Sequence, residues 1–180
     1  MAIRPILPIT DPLLRQKSAE IETIDDSVRD LVSDMLETMQ DADGAGLAAV
    51  QIGELRRILV ADIPLDEPHA SHKVFINPEI IWQSDEIQEL EGEGCLSMPE
   101  IYFKVPRALE VKVRFTDLDA VTHEVHAEGF SAVCFQHEID HLNGIRQIDH
   151  VSSLKRDKFL AKFRKYLRID EYGQRLWRSA

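Results

Sequence analysis

Cysteine is scarce: two residues in 180 are too few for a disulfide framework and suit a reducing, intracellular location. Basic residues are in the minority, 21 Lys and Arg against 32 Asp and Glu. The formal charge of −11 sets the surface as a whole against nucleic acid, so no specific DNA partner is expected. No apolar run approaches the length a bilayer requires, so no membrane partner is expected either. The opening Met1-Ala2-Ile3-Arg4-Pro5-Ile6-Leu7-Pro8 has no long apolar segment of the secretory kind, and the expected location is cytoplasmic. Repeats, low-complexity tracts and interdomain linkers are missing as well. That leaves a single domain with one core, of ordinary composition at 44% hydrophobic and 29% charged residues.

Against this plain background one run carries chemistry: Gln136-His137-Glu138-Ile139-Asp140-His141. Residues four apart share a face of an α-helix, so His137 and His141 can grip one metal ion, with Glu138 placed to handle the proton of a water on it. Such a motif can arise by chance and needs company.

The pattern along the chain supplies a setting. Val28, Leu31, Val32, Met35, Leu36 and Met39 recur at helical spacing, predicting an amphipathic helix over 26–41 with Asp25 or Asp26 as N-cap. Strand-like segments follow at 57–63, 73–82, 109–118 and 121–127, the last two forming a hairpin around Asp117–Ala120. A helix beginning near Phe130 carries the histidines and stops by Asn143-Gly144, and a final helix spans roughly 153–167. Strands lie mainly between flanking helices rather than alternating with them. The expected class is α+β, a single compact domain of mainly antiparallel sheets packed around a central helix bearing the H-E-x-x-H motif.

Two histidines leave a metal in need of a third ligand. A His ending the longer H-E-x-x-H-x-x-G-x-x-H pattern is ruled out, because Gln147 stands at that position, and no Glu occurs between His141 and Glu171. The soft ligand that remains is Cys95, in the turn Glu91-Gly92-Glu93-Gly94-Cys95-Leu96-Ser97. A thiolate and two imidazoles leave one position open, as in catalytic sites. Cys134, three residues before His137 on the same helix, competes for the role, although a helical Cys is more often packing. A third segment, Gly44-Ala45-Gly46-Leu47-Ala48-Ala49-Val50-Gln51, lacks the Lys-Ser/Thr of a phosphate loop. It reads either as a helix terminator and turn, or as small residues that let a peptide approach the backbone, with Gln51 offering an amide donor.

Together these segments resemble peptide deformylase, whose motifs Gly-x-Gly-x-Ala-Ala-x-Gln, Glu-Gly-Cys-Leu-Ser and Gln-His-Glu-x-Asp-His occur in this order. Residues 44–51, 93–97 and 136–141 match them with no mismatch at a fixed position. The likeness extends to Asp11–Arg15, Val105-Pro106-Arg107 and Asp140–Gly144, and thins after about residue 168. A catalytic domain over 1–168 and a tail over 169–180 are therefore expected.

The resemblance implies hydrolysis of the N-formyl group of nascent N-formylmethionyl peptides. It also implies one divalent metal on Cys95, His137 and His141: Fe²⁺ first, with Ni²⁺, Co²⁺ or Zn²⁺ able to replace it. Glu138 would be the general base, with the Gln51 amide and the Leu96 N–H as oxyanion donors. Gly44, Ala45, Gly46, Glu93, Arg107, Phe130, Val133 and Cys134 would bind substrate, Arg107 pairing with Glu93. The chain departs from the family's common pattern at Tyr102, where Arg is frequent, at Val50, where Pro is frequent, and at Arg146-Gln147, a pair usually apolar.

Two other readings use the same residues. A metallopeptidase cutting internal bonds would take a third ligand other than Cys95, and a silent binding module would not need Glu138. Lys155, Arg156, Lys158, Lys162, Arg164, Lys165 and Arg168 form a basic run with one acid, Asp157. It is either a solvated helix face or a dock for an anionic surface such as the ribosome. His69, His72, His123, His126 and His150 lack ligand spacing and read as surface or structural residues, and Trp82 and Trp177 as packing or tail. Asp140 reads either as an orienting partner of a ligand histidine or Arg107, or as a solvated helix residue.

Overall fold

The structure, a computed structural model, describes residues 2–66 and 73–171, with side chains to residue 167. His69, His72, Trp177 and most of the expected 169–180 tail lie outside the described residues. Helix α1 (Asp26–Asp41) starts where the sequence predicts, with the Asp25 carboxylate accepting from the Val28 N–H. Strands β1 (Gly46–Ala48), β2 (Ile58–Ala61) and β3 (Val74–Gln83) come next. They are followed by two short strands, β4 (Ile87–Gln88) and β5 (Arg107–Ala108). The hairpin of β6 (Glu110–Thr116) and β7 (Thr122–Glu128) leads into α2 (Gly129–Leu142), and α3 (Ser153–Glu171) follows.

The long strands form one antiparallel sheet in the order β1-β2-β3-β6-β7, while β4 and β5 pair separately. Sheets of this kind around a central helix are the α+β arrangement the sequence predicts. β3 crosses the middle of the sheet despite Pro78. Its register with β6 slips between Ile76 and Glu79, where Asn77 has φ 49° and the proline sits without breaking a ladder bond.

Helix α2 is the axis of the molecule. Eleven of its fourteen residues are buried, which explains why its sequence shows almost no polar face. Phe135 on α2 meets Phe75 on β3 edge to face at 4.9 Å, and Phe75 meets Phe115 on β6 at 4.7 Å, all three rings fully buried. Gln136, part of the histidine motif, fastens the helix to β5: its Oε1 accepts from the Ala108 N–H and its Nε2 donates to the Ala108 carbonyl. Gly144 ends the helix at φ 76°, and a Cβ there would lie 2.6 Å from the Arg15 carbonyl oxygen, so only glycine fits. Among the described residues no helix is long and apolar enough to cross a membrane.

The aromatic triad makes one stability prediction. Phe75→Ala should destabilise the protein by about 3–5 kcal/mol, read from the urea midpoint at unchanged m-value. A loss below about 1 kcal/mol would mean that the rings do not join sheet to helix.

Candidate metal centre

Two segments distant in sequence supply the donors. α2 carries His137 and His141 one turn apart, their ring centroids 5.0 Å apart. The turn between β4 and β5 brings in Cys95, whose Sγ lies 3.3 Å from His141 Nε2. One ligand atom from each of the three residues falls within 4.8 Å of the others, and all three side chains are buried. Of the two cysteines, Cys95 is the one brought together with the histidines. Cys134 Sγ instead points to the Ala45 carbonyl at 3.9 Å, and burial drives its pKa well above the ordinary value, so it stays a thiol.

A soft thiolate with two borderline imidazoles is a donor set for a first-row divalent cation. Burial opposes a charged His137, yet the neighbouring Cys95 sulfur and Glu93 carboxylate raise its pKa well above the ordinary value. His141 is driven the other way by burial and by His137. Three donors of suitable softness thus meet at one buried point. The residues fit the ion.

His137 is aimed by a buried carboxylate. Glu93 Oε1 lies 2.7 Å from His137 Nδ1, leaving the other ring nitrogen for the cluster. Burial works to neutralise Glu93, but His137 and Arg107 outweigh it and hold the carboxyl at about 2. Arg107 donates from Nε to Glu93 Oε2 at 3.0 Å and from Nη2 to Oε1 at 2.8 Å, a bidentate pair. Its remaining arm, Nη1, donates to Asp140 Oδ2. Arg107 thus sits behind the histidine, and it does not line the cleft where a substrate residue would be. Asp140 orients Arg107, the first of its two readings.

In front of the donors opens a cleft of about 570 Å³. Gly44, Ala45 and Gly46 form one side, Glu93, Cys95 and Leu96 another, and Phe130, Val133 and Cys134 an apolar part beside His137 and Glu138. Burial pushes the Glu138 carboxyl up to about 7 against the pull of His137, and its Oε2 has no hydrogen-bond partner among the described residues.

The glycine segment is more than a helix terminator. A Cβ on Gly46 would lie 2.8 Å from Glu138 Oε1 and 2.9 Å from Cys134 Sγ, and one on Gly44 would lie 2.6 Å from the Leu96 side chain. β1 is an edge strand. Gly46 pairs with Ala61, and Asp62 N–H donates to the Ala45 carbonyl, so the N–H and C=O of Gly46 point away from β2. Gln51 is buried with its Oε1 on the Ala48 N–H and its Nε2 3.2 Å from Ser97 Oγ and 3.8 Å from Cys95 Sγ.

Sequence reasoning missed three supports. Gln147 is buried and its Nε2 donates to the Glu93 carbonyl on the ligand turn. The signal was there, a polar residue in a pair expected to be apolar. Ser97 holds the Gln51 amide, and His150 lies 2.7 Å from Asp140 Oδ2, contacts that no spacing announces. His123 and His126 pair with Asp117 and Glu110, the structural roles expected of them.

Comparison with known proteins gives this geometry a lineage. Residues 3–157 match the sequence profile of the family described as Polypeptide deformylase. The peptide deformylase of Mesorhizobium japonicum is 49% identical over 165 residues, covering 92% of this chain and 93% of that protein. That of Brucella suis is 48% identical, covering 92% and 94%. Among solved structures, the peptide deformylase of Ehrlichia chaffeensis superposes with a TM-score of 0.86 at 37% identity, covering 94% of this chain and 99% of the other. That of Legionella pneumophila gives 0.86 at 40%, covering 96% and 100%. By profile, sequence and fold together, the chain belongs to the polypeptide deformylase family.

Proposed function

We propose that this enzyme removes the N-formyl group from the formylmethionine that heads nascent polypeptides. Water adds to the formyl carbon, the carbon–nitrogen bond breaks, and formate and a free amine leave. The observation that carries the reading is the convergence of Cys95, His137 and His141, the first two lining a cleft beside a buried carboxylate, Glu138. A divalent ion held by those three residues, Fe²⁺ by preference with Ni²⁺, Co²⁺ or Zn²⁺ as substitutes, would supply Lewis-acid charge and lower the pKa of water to about 7.

The remaining steps belong to the chain's own groups. Glu138, held near 7 by burial, suits both halves of a proton transfer: it accepts the proton of the attacking water and delivers it to the departing nitrogen. As the formyl oxygen gains charge, the Gln51 Nε2 and the Leu96 N–H donate to it. The outward N–H and C=O of Gly46, with Gly44 and Ala45 alongside, take an extended peptide as an added strand at the β1 edge. Phe130, Val133 and Cys134 receive the methionine side chain, an apolar and flexible group for an apolar wall. Glu93, at the side of the cleft, and Arg107, behind it, act by fixing His137.

Lys155, Arg156, Lys158, Lys162, Arg164 and Lys165 of α3, five of them exposed, suit contact with the anionic ribosome during cytoplasmic synthesis. Arg168, the last of the run, has its side chain outside the described residues.

Formate release from formyl-Met-Ala-Ser by anaerobically purified protein of known metal content tests the activity; metal-loaded protein that releases none would refute it. Glu138→Gln should keep its metal and lose about 10²–10⁴ in kcat, and an active variant would remove Glu138 from the proton path. Gln51→Ala should lose about 10²–10³ in kcat, whereas unchanged turnover would exclude its amide as oxyanion donor. Reversing Lys155, Lys158, Lys162 and Lys165 to Glu should weaken co-sedimentation with ribosomes and flatten its salt dependence. Binding that ignores both salt and the reversals would exclude α3 as the dock.

A further inference from the structure

We infer that His150 is a positioning residue for the metal centre, acting on His137 through Asp140, Arg107 and Glu93. The contacts form an unbroken path. His150 Nε2 lies 2.7 Å from Asp140 Oδ2, and the same oxygen accepts from Arg107 Nη1. Arg107 grips Glu93 with its other two donors, and Glu93 Oε1 lies 2.7 Å from His137 Nδ1. Each carboxylate uses one oxygen twice, so moving one member moves its neighbour: Asp140 Oδ2 serves His150 and Arg107, and Glu93 Oε1 serves Arg107 and His137.

The arrangement answers a geometric need. Arg107 is buried and serves two carboxylates at once, so the plane of its guanidinium is fixed only if both carboxylates are fixed. Glu93 is anchored by His137, on the same Oε1 that Arg107 Nη2 reaches. Asp140 lies at the edge of α2 with 18% of its side chain exposed, and apart from Arg107 its carboxylate is held by His150. Removing the imidazole frees Asp140 to rotate, loosens the Arg107 plane and relaxes the Glu93 oxygen that aims the His137 ring.

The short helix that carries His150, Gln147–His150, reaches both carboxylate residues of the path, Asp140 through His150 and Glu93 through Gln147. The Gln147 amide donates to the Glu93 carbonyl, so one element braces the ligand turn through its backbone and through the side-chain path. An ordinary partly exposed His–Asp pair would contribute little and would touch nothing further. What distinguishes this pair is where its contacts lead.

The inference rests on the reading of Cys95, His137 and His141 as the metal site, and the test separates the two. Co²⁺ affinity is measured by chelator competition for wild type, His150→Ala and His150→Gln, alongside the thermal midpoint of each metal-free protein. His150→Ala should bind Co²⁺ about three- to tenfold more weakly, less than the loss of a direct partner of a ligand. Its metal-free midpoint should be unchanged, and kcat should fall with KM held. His150→Gln, whose amide can still donate to Asp140, should recover most of the affinity. Equal Co²⁺ affinity in wild type and His150→Ala would overturn the role of His150, as would equal losses in both variants that track a fall in midpoint. Wild type that binds no Co²⁺ would overturn the metal site itself, and His150's role with it.

Discussion

The site depends on keeping one carboxylate ionised where burial opposes it. Glu93 is 6% exposed, and its charge survives because Arg107, 4% exposed, meets it with two donors while His137 offers a third. Pairs of this kind contribute little net stability, yet removing one partner leaves a buried charge uncompensated, at about 3–5 kcal/mol. The pair is better understood as a device for direction. It turns a histidine on the central helix so that one ring nitrogen is occupied and the other is left for the cluster with Cys95. Its energetic weakness is tolerable because stability comes from elsewhere, the aromatic and aliphatic core that locks α2 against the sheet.

Around that device the chain uses small residues for access and amides for alignment. Gly46 lets the edge strand pass Glu138 and Cys134 at distances no side chain would permit, which exposes backbone donors and acceptors beside the buried carboxylate. Gln136 ties the helix to β5 and Gln147 ties the next turn to Glu93. Gln51 points its amide toward the cysteine. Amides suit this work because they bring both a donor and an acceptor without a charge to solvate. The consequence is a cluster whose members come from five separate segments but whose orientations depend on one another.

Much of this was legible in the sequence, and the rest was hidden for identifiable reasons. The histidine helix, its stop at Gly144, the α1 cap at Asp25 and the β6–β7 hairpin follow from local rules, since periodicity, capping and turn chemistry are properties of neighbouring residues. Cys95 could be favoured over Cys134 but not separated from it by spacing, because the approach of a loop to a helix is a tertiary fact. Arg107 pairs with Glu93 as the resemblance implies, but its burial behind His137 was not foreseen. A sequence gives no sign that a charged side chain is buried, and a partner for Glu93 can lie on either side of it. His150 escaped notice because the residue it acts on lies four contacts away.

The central claim is that Cys95, His137 and His141 bind one ion together, with His137 aimed by Glu93. X-ray absorption of the zinc-loaded protein tests it most directly. One sulfur scatterer is expected at about 2.3 Å together with nitrogen scatterers at about 2.0–2.1 Å carrying the outer-shell signature of two imidazoles. The sulfur shell should vanish in Cys95→Ser and persist in Cys134→Ser. A first shell of nitrogen and oxygen alone in the wild type, or a sulfur shell that follows Cys134, would contradict it.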